Sequence, residues 1–131
     1  MNFSADFLNY KPIFTDNELH FLKDLSKEYT FDQFISDHRS FEESSIDYAF
    51  VSSKIEGNQY SKKGASLLLK YGFTENGKTM QDAMMLVNLR DTFINVTLST
   101  DDDINTVLTK RYVCSIHSEV SDKLLETRDR G

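Results

Sequence analysis

Ser52-Ser53-Lys54-Ile55-Glu56-Gly57-Asn58 marks the place, near the middle of the chain, where an apolar-periodic run stops at a glycine. Ile46, Ala49, Phe50 and Ser53 precede the stop at helical spacing. The stretch therefore reads as a helix C-terminus with Gly57 as its left-handed cap. Glu56 is the oddity. The last turn of a helix carries exposed carbonyls and a partial negative charge, which disfavours a carboxylate there by ~0.3–1 kcal/mol. Ser52 lies four residues earlier, one turn below Glu56 on the same face. A hydroxyl and a carboxylate presented together at a negative helix end form a device for meeting a cation. The local cation, Lys54, falls on another face. The plainer alternative is a surface carboxylate answering some lysine, worth little.

Working outward, the helix that ends here opens at Ser40-Phe41-Glu42-Glu43, which has the form of a capping box. Ser45, Tyr48, Ser52 and Glu56 line a polar stripe beside the apolar one. Upstream, Thr15-Asp16-Asn17-Glu18 is a second capping box, followed by Leu19, Leu22 and Leu25, which predicts a helix to about Tyr29. Thr30 then caps a short piece whose Phe31, Phe34 and Ile35 pack on the first helix. Downstream, Ser61 caps a helix carrying Leu67, Leu68 and Tyr71 and stopped by Gly72. Thr79-Met80-Gln81-Asp82 opens the next, apolar over a wide arc from Ala83, Met84, Leu86, Val87 and Leu89 to Phe93, Ile94 and Val96. Such width predicts a central helix covered on more than one side, with its methionines as core filler. Ile104, Val107, Leu108, Tyr112, Ile116, Val120 and Leu124 continue the helical spacing before a charged, loop-like end. The expected fold class is all-α, with a lead-in over 1–40 and the main helical body over 41–131.

Composition narrows the function. The 131 residues carry 15 Lys and Arg against 21 Asp and Glu, a formal charge of −6, which argues against non-specific nucleic-acid binding. Ten Phe and six Tyr supply enough apolar area for one core, and one proline with five glycines suits helices with few breaks. No apolar run approaches the ~18 residues of a membrane span, and the first residues lack the pattern of a secretory signal. The single Cys114 allows no internal disulfide and fits a reducing, cytoplasmic setting.

The central stretch resembles the inhibitory helix motif of the Fic family, [S/T]-x-x-x-E-[G/N], through Ser52, Glu56 and Gly57, with Asn58 following as it often does in that family. Thr79 to Val96 and Ile116-His117-Ser118 to Arg130-Gly131 are similar to early helices of the Fic core, so the likeness spans roughly the second two-thirds of the chain. The resemblance implies an all-helical enzyme that transfers AMP from Mg²⁺-ATP to a hydroxyl of a target protein. Glu56 would pair with an arginine of the catalytic loop and keep the ATP γ-phosphate from settling productively. The family's catalytic signature, H-x-F-x-[D/E]-G-N-G-R, has no counterpart here. His20, His38 and His117 are not followed two residues later by Phe, and the one Gly-Asn pair is Gly57-Asn58. The resemblance thus implies the front part of a Fic protein, a helical bundle incomplete at its C-terminal end. It has no catalytic residue of its own, and no tight ATP or Mg²⁺ binding is expected from this chain alone. A homodimer is compatible with it; a non-catalytic, antitoxin-like inhibitor acting in trans is the alternative.

Other constellations compete. Gly72-Phe73-Thr74-Glu75-Asn76-Gly77-Lys78-Thr79 satisfies G-x-x-x-x-G-K-[S/T], in which Gly72, Gly77, Lys78 and Thr79 would cradle phosphates and hold Mg²⁺. That loop must follow a buried strand, whereas Ser61 to Tyr71 has no β-branched residue, and Glu75 brings negative charge to a site for anions. A helix–loop–helix turn is the expected reading. Thr100-Asp101-Asp102-Asp103 reads as cap and dipole complement before it reads as a metal site. Cys114 and His117 share a helix face, but no third residue orients the imidazole, and one Cys with three scattered His makes no zinc site.

Overall fold

The computed structural model describes residues 12–28, 31–99, 109–125 and 129. They form six α-helices and no strand: α1 Asp16–Ser26, α2 Phe31–Ser36, α3 His38–Ile55, α4 Lys62–Tyr71, α5 Met80–Leu98 and α6 Lys110–Val120. The chain divides into two compact units, Met1–Ser36 and Asp37–Gly131. Expectations for Tyr29 and Thr30, for the acidic run at 100–103, for Ile104, Val107 and Leu108, and for 126–128 and 130–131 lie outside the described residues.

In the first unit the Thr15 capping box forms as predicted: the Glu18 N–H donates to Thr15 Oγ1, and the Thr15 N–H donates to Glu18 Oε2 at 2.8 Å. The helix ends earlier than the spacing suggested, at Ser26, where the Lys27 N–H turns back to the Asp24 carbonyl. None of the α1 side chains is buried. Phe34 and Ile35 of α2 are half-buried.

The second unit holds the core. Ile46 and Ala49 of α3 meet Ala65, Leu68 and Leu69 of α4 and Ala83, Leu86 and Leu89 of α5, with Tyr60 buried among them. Burying a leucine as completely as Leu86 is worth about 1.5–3 kcal/mol. The central helix is α5, which packs against α3, α4 and α6, as its wide apolar arc predicted. On α5, Phe93 stacks against Tyr48 of α3 with ring centroids 5.0 Å apart. Gly72 caps α4 in the left-handed region, and Thr79 caps α5 by accepting the Asp82 N–H.

Three readings of α3 are corrected. Its start is Asp37 rather than Ser40. The Asp37 carboxylate accepts both the Ser40 N–H and the Ser40 hydroxyl, the latter at 2.6 Å. A charged acceptor at a helix's positive end outcompetes a serine three residues on, and the bonds from Ser40 hold the Asp37 carboxyl below the usual aspartate range. Ser45, assigned to the polar stripe, is fully buried, because its hydroxyl is satisfied by the Glu42 carbonyl at 2.7 Å. Phe50, placed in the buried stripe, is only half-buried.

Candidate functional site

The end of α3 is built as a Schellman motif. Gly57 sits at φ +89°, its N–H donates to the Lys54 carbonyl at 3.1 Å, and the Asn58 N–H donates to the Ser53 carbonyl at 2.9 Å. Glu56 is the C-cap residue itself, at φ −82° and ψ 4°. The motif satisfies two of the orphan carbonyls of the last turn.

Asn58 anchors this corner to the rest of the unit. It is 2 % exposed; its side-chain N–H donates to the Asp82 carbonyl at 2.7 Å, and its side-chain oxygen accepts the Tyr60 N–H at 2.9 Å. The first turn of α5 therefore fixes where α3 ends. Nothing in the local pattern of Asn58 announced a partner 24 residues away.

Lys54 shows where the local positive charge goes. Its ammonium donates to the Asn58 carbonyl at 2.7 Å and stands 5.7 Å from the centre of the Phe50 ring. The cation suited to the negative helix end is thus engaged with a carbonyl of the motif itself. Glu56 is exposed and meets no hydrogen-bond donor or cation among the described residues. Ser52 is half-buried one turn below it. The arrangement leaves a carboxylate displayed at the corner, with its charge unanswered among the described residues.

The second candidate, Gly72 to Thr79, is a loop between two helices. It follows α4 rather than a strand. Glu75 does not point negative charge at a bound anion; it turns back and caps α4. Its Oε2 accepts the Ser61 N–H at 2.8 Å and lies over Gly64, where a Cβ would collide with it. That backbone bond is the main reason the Glu75 carboxyl is held below the usual glutamate range. The Glu75 N–H approaches the hydroxyl of buried Tyr60 at 3.4 Å, and the Lys78 N–H donates to the Glu75 carbonyl at 3.3 Å. Gly77 takes φ +75°, and Thr79 does cap work on α5. A cleft of about 260 Å³ opens between this loop, Tyr60 and Ala83, with Lys78 half-buried at its wall.

On α6, Cys114 is half-buried and His117 exposed. No group of three or more His, Cys, Asp or Glu among the described residues is placed to hold a metal ion. No helix among the described residues is long and apolar enough to cross a membrane. Comparison with protein-family models, with curated proteins and with solved structures finds no match to this chain.

Proposed function

We propose that this chain is the N-terminal part of a Fic-type protein adenylyltransferase, with α3 as its inhibitory helix. The reaction of the complete protein would be AMP transfer from Mg²⁺-ATP to a hydroxyl of a target protein, with pyrophosphate released, in the cytoplasm. The observation that carries the reading is the corner at Glu56. A carboxylate sits at a helix end that repels it, the nearby lysine is used elsewhere, and Asn58 pins the corner to α5. A group so placed acts on a cation brought from outside the described residues. In this proposal that cation is the catalytic-loop arginine, and Ser52 flanks the same approach.

Energetics permit a brake of one residue. Two opposite charges about 4 Å apart attract by ~4 kcal/mol at an effective dielectric of 20. In the complete protein, Glu56→Gly is expected to raise autoadenylylation by roughly tenfold or more, since every 1.4 kcal/mol of lost inhibition is a factor of ten. No rise in incorporated AMP refutes the assignment. The chain of residues 1–131 by itself is expected to show no turnover and only weak ATP binding.

The exposure of Glu56 also suits the trans-acting reading, in which this chain meets a separate Fic enzyme. Co-purification with a partner carrying H-x-F-x-[D/E]-G-N-G-R, together with inhibition of that partner by added chain, selects it over the inhibitory helix in cis.

A further inference from the structure

The loop between α4 and α5 holds a reactive pair that neither a phosphate site nor a plain turn uses. Asn76 is the one asparagine of the chain followed by glycine, Gly77. An asparagine amide carbon lies within reach of the next residue's backbone nitrogen, and the two can close a five-membered imide. Closure needs that nitrogen free of hydrogen bonds, uncrowded by a side chain, and joined to the asparagine by a backbone that can turn.

The loop meets all three conditions. Asn76 and Gly77 are exposed, and neither the Asn76 amide nor the Gly77 N–H has a hydrogen-bond partner among the described residues. Even a Cβ built on Gly77 would find no atom within 4 Å, so the approach to its nitrogen is open. The pair forms the centre of a turn closed by one bond, from the Lys78 N–H to the Glu75 carbonyl at 3.3 Å, which is long for its kind. Rotating the Asn76 backbone to bring the Gly77 nitrogen onto the amide carbon gives up that bond and no other. Gly77, at φ +75°, accepts either sign of φ and follows the rotation at little cost.

The other described asparagines show what protection looks like. Asn58 is buried, with both ends of its amide held. Asn88 and Asn95 lie inside α5, where the N–H that would attack is bonded to the preceding turn. Behind Asn17, the Glu18 N–H is spent on Thr15 Oγ1.

We propose that Asn76–Gly77 is a self-modification site, where the chain deamidates through a succinimide. The Gly77 nitrogen attacks Asn76 Cγ; the N–Cγ bond forms, the Cγ–Nδ2 bond breaks, and the Gly77 proton leaves with Nδ2 as ammonia. Water then opens the imide. Breaking the new N–Cγ bond yields aspartate, and breaking the original peptide bond yields isoaspartate, with the chain running through Cβ and Cγ. Nothing is oxidised or reduced. Either product places a carboxylate next to Lys78 at the positive end of α5, where negative charge is favoured. Isoaspartate also lengthens the backbone between two anchored residues, Glu75 on the Ser61 N–H and Thr79 on the Asp82 N–H. The proposal does not depend on the Fic-type reading.

The test is to age the folded full chain in neutral buffer made with ¹⁸O-water and to map its tryptic peptides by mass spectrometry. The fragment Tyr71–Lys78 is expected to lose ammonia and gain one ¹⁸O, with isoaspartate, read by enzymatic carboxyl methylation, as the larger product. Fragments carrying Asn58 and Asn88 should keep their mass. Asn76→Gln, which would have to close a slower six-membered ring, should abolish the conversion, and Gly77→Ala should slow it. Conversion in the urea-unfolded chain but not in the folded one, conversion of Asn58 at the same rate, or a product that is aspartate alone would each overturn the proposal.

Discussion

Asn58→Ala tests whether the corner at the end of α3 is held by the bonds described, and the expected cost follows from them. Removing the amide takes the acceptor from the buried Tyr60 N–H, which has no water to turn to. An orphaned buried donor costs about 1–3 kcal/mol. The bond to the Asp82 carbonyl is lost as well, at about 0.5–1.5 kcal/mol, because the helix already brings that carbonyl an N–H from the next turn. The sum is about 1.5–4.5 kcal/mol, which urea unfolding reads as a fall in midpoint of roughly 2 M at a slope of about 1–2 kcal/mol per M. Asn58→Asp keeps an oxygen for Tyr60 but buries a carboxylate against the Asp82 carbonyl, acceptor against acceptor, so it should cost at least as much as alanine. A stability for Asn58→Ala within about 0.5 kcal/mol of the parent, or an aspartate clearly milder than alanine, refutes the reasoning.

Gly57→Ala meets no atom within 4 Å of its new Cβ, so its cost is purely that of a side chain at φ +89°, about 1 kcal/mol by thermal unfolding, and Gly57→Asn should cost less. Gly64→Ala drives a Cβ into the end of the Glu75 side chain, which must swing away and give up the Ser61 N–H, offsetting the helix gain of about 1 kcal/mol; in Glu75→Ala that gain should appear in full, a coupling that a double-mutant cycle measures. Glu75 also sets a pH dependence. Its folded-state carboxyl lies below 4.5, so it binds fewer protons folded than unfolded. Its stabilisation is present above that value and is lost as pH falls through the depressed one, and Glu75→Gln should flatten melting temperature against pH across roughly pH 3–5.

How much was legible beforehand depends on how far each interaction reaches along the chain. The Thr15 box, the Ser61 and Thr79 caps and the glycine stops at Gly57 and Gly72 each close within six residues. Their donors and acceptors are brought together by helix geometry alone, so residue types at fixed offsets suffice to find them. Asp37 was missed because two caps compete within the same turn, and pattern alone does not rank a carboxylate against a hydroxyl that is itself bonded to it. Glu75 was weighed only as a charge unsuited to a phosphate loop, and its partner, the Ser61 N–H, lies 14 residues back.

The sequence by itself therefore determined the helical class, the glycine that ends α3 and the placing of an acid where its own helix disfavours it. The tertiary structure alone decided that Asn58 is tethered to α5 and that Glu75 reaches back to the Ser61 N–H. The physical reason is one of range. Helix hydrogen bonds are set over four residues, whereas burial and the pairing of charges depend on which helices pack together, and that is a property of the whole core.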